Sequence, residues 1–150
     1  MNKAQLHLVK SIEKARKLNT YSKIGKMLAK FIKLRNRIVY ACDIGITSEI
    51  PTDCVFHHSG LGVVIGNGVK IGNRCQIYSN VVIGSRDTHG HNGANPVIGN
   101  NVIIGTGSII LGDITIGNNV IIAAGSVVLK DVLENTMVAG NPAEIKKYIK

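Results

Sequence analysis

The sequence predicts a mainly β chain: a parallel β-helix of six-residue repeats, preceded by a pair of basic α-helices and followed by a short helix. Three observations carry this. Branched aliphatics recur at every sixth position, as Ile65, Ile71, Ile77 and Ile83, then Ile98, Ile104, Ile110, Ile116, Ile122 and Val128. Small or apolar residues recur four positions after these anchors, at Val69, Cys75, Val81, Val102, Ser108, Ile114, Val120, Ser126 and Val132. Residues 1–40 lack that period and show helical spacing instead.

A fixed period means one small unit stacked on itself. Neither the helical repeat of 3.6 nor a heptad matches six. A short strand plus a corner does match, with one side chain inward and Gly or Asn at the turn. Three such units close a triangular coil, and the coils stack.

The N-terminal arm comes first. Leu6, Val9, Ile12, Ala15 and Leu18 form one helix face, and Asn19–Thr20 reads as a break. A second helix starts near Ser22, with an apolar stripe of Ile24, Met27, Leu28, Phe31, Leu34 and Ile38 and lysines on its other side. Such a stripe is expected to pack on the β-helix or on a neighbouring subunit. The alternative is docking on an anionic membrane.

The β-helix follows over residues 43–132, with Ile44, Ile50 and Phe56 extending the ladder upstream. Two interruptions stand out, because chemistry in a solenoid gathers where the repeat breaks. From Phe56 to Ile65 is nine residues, one period plus three, and this break holds His57 and His58. From Ile83 to Ile98 is fifteen, read as two periods plus three, and this break is a polar loop with His89 and His91. The tail after 132 leaves the period, and Pro142 is placed to start a short basic helix. The expected division is therefore a helical arm over 1–40 and a β-helix with its tail over 41–150.

Composition narrows the function classes. The net charge of +9 is unevenly spread: residues 1–40 carry eleven Lys and Arg against Glu13 alone, and the rest is close to neutral. With few aromatics and no binding motif, nucleic acid is not an expected partner. There is no long apolar run and no secretory signal pattern, so a cytoplasmic protein is expected. Cys42, Cys54 and Cys75 have neither metal nor disulfide spacing and read as reduced core thiols.

The segments ACDIGITSEI, FHHSGLGVVIG, IGNNVIIGTGSIILGDITIG, AAGSVVLKDV and AGNPA resemble the hexapeptide-repeat acyltransferases of the serine acetyltransferase type. The resemblance covers nearly everything from Asp43 to Ala143. It implies a left-handed coil, a homotrimer with sites between subunits, and acetyl-CoA as co-substrate with no metal. It also implies an Asp–His dyad, carried over as Asp43 and His58. An acetyl thioester is already activated, so a hydroxyl acceptor mainly needs a general base, and imidazole suits that role. A carboxylate beside it fixes the tautomer and steadies the imidazolium. Backbone N–H groups of the 59–62 turn, or of the next subunit, are expected to hold the oxyanion.

By the same resemblance, Gly105, Thr106 and Ala124 contact the pantetheine arm, and Lys130 lies near the nucleotide phosphates. His57, His89, His91 and Asn95 are the candidates for acceptor binding; His89 and His91 stand equally as residues of an ordinary loop. The family pattern is not complete. His57 occupies the place of the Asp that holds the amino group of serine, Ala94 and Asn95 replace an Arg–His pair before Pro96, and Glu144 replaces an Arg. The expected acceptor is therefore either serine or a sugar hydroxyl. Two other readings remain open on the same fold: a γ-carbonic-anhydrase-like zinc enzyme using three of the histidines, and a non-catalytic membrane-associated trimeric scaffold.

Overall fold

The computed structural model describes residues 3–20, 22–86 and 95–149. Two helices open the chain, α1 (Lys3–Asn19) and α2 (Lys23–Tyr40). The Ser22 side chain caps α2 by accepting from the Gly25 N–H at 3.0 Å, which satisfies one of the orphan donors of the first turn. Ala41, in the left-handed conformation, ends it.

Short strands follow: β1 (Asp43–Ile44), β2 (Val55–Phe56), β3 (Val64–Ile65), β4 (Lys70–Ile71), β5 (Gln76–Ile77), β6 (Val82–Gly84) and β7 (Val97–Ile98). The series continues with β8 (Ile103–Ile104), β9 (Ile109–Leu111), β10 (Thr115–Ile116), β11 (Ile121–Ile122), β12 (Val127–Val128), β13 (Thr136–Gly140) and β14 (Ala143–Tyr148). They form three sheets, ordered β1-β3-β6-β9-β12, β4-β7-β10 and β2-β5-β8-β11-β13-β14. We call these faces A, B and C. The chain visits A, B and C in turn, so each coil is a triangle, and all pairings are parallel except the last.

Uninterrupted coils repeat every eighteen residues, as in the pairing of Val64 with Val82 and of Val97 with Thr115. The ladder residues point inward, and Ile65, Ile77, Ile83, Ile98, Ile104, Ile110, Ile116 and Ile122 are all buried. Each contributes about 1.5–3 kcal/mol relative to exposure. Serines at the small positions are buried too, but their hydroxyls are satisfied: Ser48 donates to Gly45 O at 2.6 Å and Ser126 to Ala123 O at 2.6 Å. On the B–C edge, Asn73, Asn100 and Asn118 hydrogen-bond upward from coil to coil, and Asn101, Asn119 and Asn135 form a second column.

The structure amends the sequence reading in four places. The loop after β6 replaces a single corner between faces A and B, so it inserts nine residues into one period rather than three into two. The coil runs past Val132, because β13 pairs with β11. Residues 143–148 form a strand, not the expected helix: β14 turns back on β13 at Gly140–Ala143 and satisfies the outer backbone groups of face C. Finally, the apolar stripe of α2 does not pack on the β-helix. Its buried residues are Gly25, Ala29 and Asn36, while Met27, Phe31 and Ile38 are 64%, 65% and 76% exposed.

Close approach explains that orientation. A Cβ at Gly25 would overlap the Leu18 carbonyl oxygen, so the small face of α2 is the one that meets α1. The polar link is Ser11 Oγ to Asn36 Oδ1 at 3.1 Å. In turn α1 buries Leu8, Val9 and Ile12 in the core of the β-helix, with Leu8 reaching the Gly60 turn beside Phe56.

Coil stacking leaves no room at several corners. A Cβ at Gly72 would lie 2.5 Å from the Gly99 carbonyl oxygen of the next coil. Gly72→Ala is therefore expected to cost about 2 kcal/mol or more through backbone displacement, read as a lowered thermal unfolding midpoint.

Candidate active site

The first break in the ladder lies on the edge between faces C and A. After Phe56 the chain passes through a 3₁₀ turn, His57–Gly60, in which His58 (φ 52°) and Ser59 (φ 57°) are both left-handed. This conformation swings the His58 imidazole outward, where it is exposed. His57 stays against the prism. Register continues from Phe56↔Ile77 to place Tyr78 over it, and the two rings stack at 4.0 Å between centroids and 16° between planes. His57 Nε2 donates to Gln76 Oε1 at 3.1 Å.

Asp43 opens face A directly below this turn, paired in register with Val64. Its Oδ1 is shielded from water and is compensated by an ion pair rather than a directed hydrogen bond: Lys33 Nζ stands 2.7 Å away. Arg37 Nε is 3.8 Å from Oδ2. Among the described residues no hydrogen bond joins Asp43 to His58. The carboxylate is instead held by two cations of α2. A recess of about 260 Å³ lies here, lined by Arg37, Ala41, Cys42, Asp43, Gly62 and Val64. Burial, and after it the neighbouring Asp43 charge, pushes the Cys42 thiol up to about 11.

Three amides of this region are already bonded. The N–H groups of Leu61, Gly62 and Val63 donate to His58 O, Ala41 O and Gly60 O at 3.2, 2.9 and 3.0 Å. They are committed to the fold and do not point at a reacting group.

The C–A edge continues along the prism through the turns after β8 and β11. Gly105, Thr106 and Gly107 make the first, and Ala123, Ala124 and Gly125 the second, joined by Gly125 N–H to Thr106 O at 2.9 Å. Thr106 and Ala124 are exposed on this edge, in line with the His58 turn. At Gly107 and Gly125 the backbone is left-handed and open, with nothing within 4 Å of where a Cβ would stand. A thin, flexible ligand has access to main chain there. Gly105 differs: a Cβ on it would lie 2.5 Å from Ala124 N, so its small size serves coil stacking.

The other expected residues lie elsewhere. Asn95 sits by the Gly66–Gly68 turn on the A–B edge, with its Nδ2 3.0 Å from the Cβ position of Gly68. Lys130 follows β12 and belongs to that same A–B edge, across face A from Thr106 and Ala124. His89 and His91 lie outside the described residues. Among the described residues, no group of three His, Cys, Asp or Glu could hold a metal ion.

Residues 95–130 match the bacterial transferase hexapeptide family (six repeats). Among solved structures, the serine acetyltransferase of Brucella abortus strain S19 in complex with coenzyme A is 29% identical, with a TM-score of 0.90 over 98% of this chain and 57% of that one. The serine acetyltransferase of Neisseria gonorrhoeae is 31% identical, with a TM-score of 0.89 over 98% of this chain and 56% of that one. A serine acetyltransferase in complex with cysteine is 29% identical, with a TM-score of 0.90 over 100% and 57%. The chain is a hexapeptide-repeat protein of serine acetyltransferase-like fold. Its coil is accordingly the left-handed parallel β-helix. It spans a little over half the length of the serine acetyltransferases to which it is similar. No curated protein matches it by sequence.

Several participants were not singled out from the sequence. Gln76 and Tyr78 had a usable signal, because adding the three extra residues of the break to one coil places Tyr78 above His57. Lys33 and Arg37 had none beyond their place on the basic side of α2.

The Cys42 thiol yields a pH prediction. Its folded pKa lies above the ordinary value of 9.0, so the unfolded chain ionises first as pH rises. Stability from this group is complete below about 9 and is lost as pH climbs towards about 11. Denaturant midpoints measured from pH 8 to 11 should fall, and Cys42→Ala should make that fall shallower.

Proposed function

We propose that the protein is an acetyl-CoA-dependent O-acetyltransferase that works as a homotrimer with sites between subunits. The observation that carries this is the alignment of the His58 turn with the open Thr106–Gly107 and Ala124–Gly125 turns on one prism edge. It occurs in a chain about 30% identical to serine acetyltransferases, one of them bound to coenzyme A. Self-association is supported by face A. Its outward positions run Val64, Val82, Ile109 and Val127 in register, an apolar column beginning at the same edge. A face left to water normally alternates with polar residues.

In this reading, His58 removes the proton from the acceptor hydroxyl as that oxygen attacks the thioester carbonyl. A neighbouring subunit supplies the oxyanion donors, since the amides of residues 61–63 are already bonded. His58 then returns its proton to the departing thiolate, giving an O-acetyl ester and a free thiol. Asp43 acts by exchanging Lys33 for the imidazolium as charge develops there. Both charges would otherwise face a partly desolvated site, where such pairing counts most. The thin arm of the donor lies along Thr106 and Ala124.

The acceptor is an uncharged hydroxylated molecule, a saccharide in preference to serine. The place next to the base carries the His57–Tyr78 stack and the Gln76 amide, and among the described residues the carboxylate nearest to it, Asp43, is already paired with Lys33 and Arg37. Aromatic faces and amides suit the C–H faces and hydroxyls of a sugar.

Free-thiol release from acetyl-CoA, measured against serine, simple sugars and nucleotide sugars, tests this directly. A saccharide is expected to support turnover, and activity with serine alone would reverse the acceptor assignment. His58→Ala should lower kcat by about 10²–10⁴ with donor binding retained. Asp43→Asn should slow transfer in the same direction. Treatment with a chelator should leave the rate unchanged, whereas loss of activity that zinc restores would favour a metalloenzyme.

A further inference from the structure

We propose that α2 is a membrane-surface helix that docks this protein on anionic lipid. The amphipathic pattern of α2 is oriented against its own fold. Gly25, Ala29 and Asn36 face α1 and the prism, whereas Ile24, Met27, Leu28, Phe31, Leu34, Ile38 and Val39 are all 44–76% exposed. At about 100° per residue these seven fall within one arc of the helix, roughly opposite the buried face. Lys23, Lys26, Lys30 and Arg37 are exposed along its flank. The helix spans eighteen residues, so the stripe runs its whole length.

Charge decides the occupant. Residues 1–40 carry eleven Lys and Arg and one acidic residue, Glu13, which is already paired with Lys17 at 2.7 Å. A second copy of the arm laid on this stripe would bring two such clusters together, with no free carboxylate to offset them. Nucleic acid would meet the lysines but leave the apolar arc in water. An anionic bilayer surface answers both halves: the arc enters the acyl boundary and the flanking cations meet phosphate headgroups. Among the described residues no helix is long and apolar enough to cross a membrane, so α2 lies on the surface rather than spanning it. This inference does not rest on the proposed activity, and its test needs no turnover.

The chain has no Trp, so Phe31→Trp introduces a single reporter in the middle of the stripe. The full-length variant is mixed with phosphatidylcholine vesicles with and without about one-third phosphatidylglycerol. The emission should shift to the blue only with the anionic vesicles, and the protein should co-sediment with them. Met27→Glu with Phe31→Glu should reduce co-sedimentation at least about tenfold, and Lys26→Glu with Lys30→Glu should reduce it likewise, with circular dichroism unchanged in each. Three results would overturn the proposal. One is no binding to anionic vesicles. Another is binding that survives the Glu substitutions on the stripe. The third is a fall in solution mass for Met27→Glu with Phe31→Glu, which would make the stripe a contact between copies.

Discussion

Vertical register is the constraint on which the other features hang. Each inward aliphatic sits on its counterpart in the next coil, eighteen residues away where the repeat is unbroken and 21 or 27 across the two insertions, and corner backbones bond to the corners above them. Contacts are therefore only between neighbouring coils, and no residue in the core is held by a distant partner. The spacing is enforced by sterics as well as by burial. At Gly45, Gly72, Gly99, Gly105 and Gly117 a side chain would strike the backbone of the adjacent coil. A repeat this tight has little tolerance on its faces. Variation is confined to the edges, which is where both insertions occur.

That confinement is why a break in the repeat marks the candidate site. The three residues inserted before Val64 lengthen one corner, and the lengthened corner has room for a left-handed turn that ejects His58 while keeping His57 on the prism. Because edges are continuous columns, a residue at one corner is automatically aligned with the corners above. The alignment of His58 with Thr106 and Ala124 is a consequence of the repeat and needs no separate device.

The periodicity made the core legible almost residue by residue, from Ile44 to Val128, because side-chain direction in a two-residue strand follows from position alone. The edges were legible only where the arithmetic was right. Counting fifteen residues as two periods plus three misassigned the second break, since spacing by itself does not say how many corners the chain turns. The tail failed for a different reason. Pro142 is compatible with both a helix start and a tight turn, and the unpaired edge of face C, invisible in sequence, favours the strand. The arm showed a third kind of limit. Helical spacing located α1 and α2, yet the stripe with the stronger pattern faces outward, because small residues at Gly25 and Ala29 allow closer approach than large ones. Pairwise electrostatics were least accessible of all: that Asp43 would meet Lys33 before His58 depends on where α2 comes to rest.

The two ends of the prism are finished differently. At one end α1 lays Leu8 and its neighbours over the first coil, and at the other β14 turns back antiparallel and ends the ladder of face C. A column of parallel strands is otherwise an open template, to which an identical column can be added end to end without limit. The helix over the first coil and the reversed strand along face C each put an obstacle in the way of that addition, in a sequence whose interior would suit a fibre.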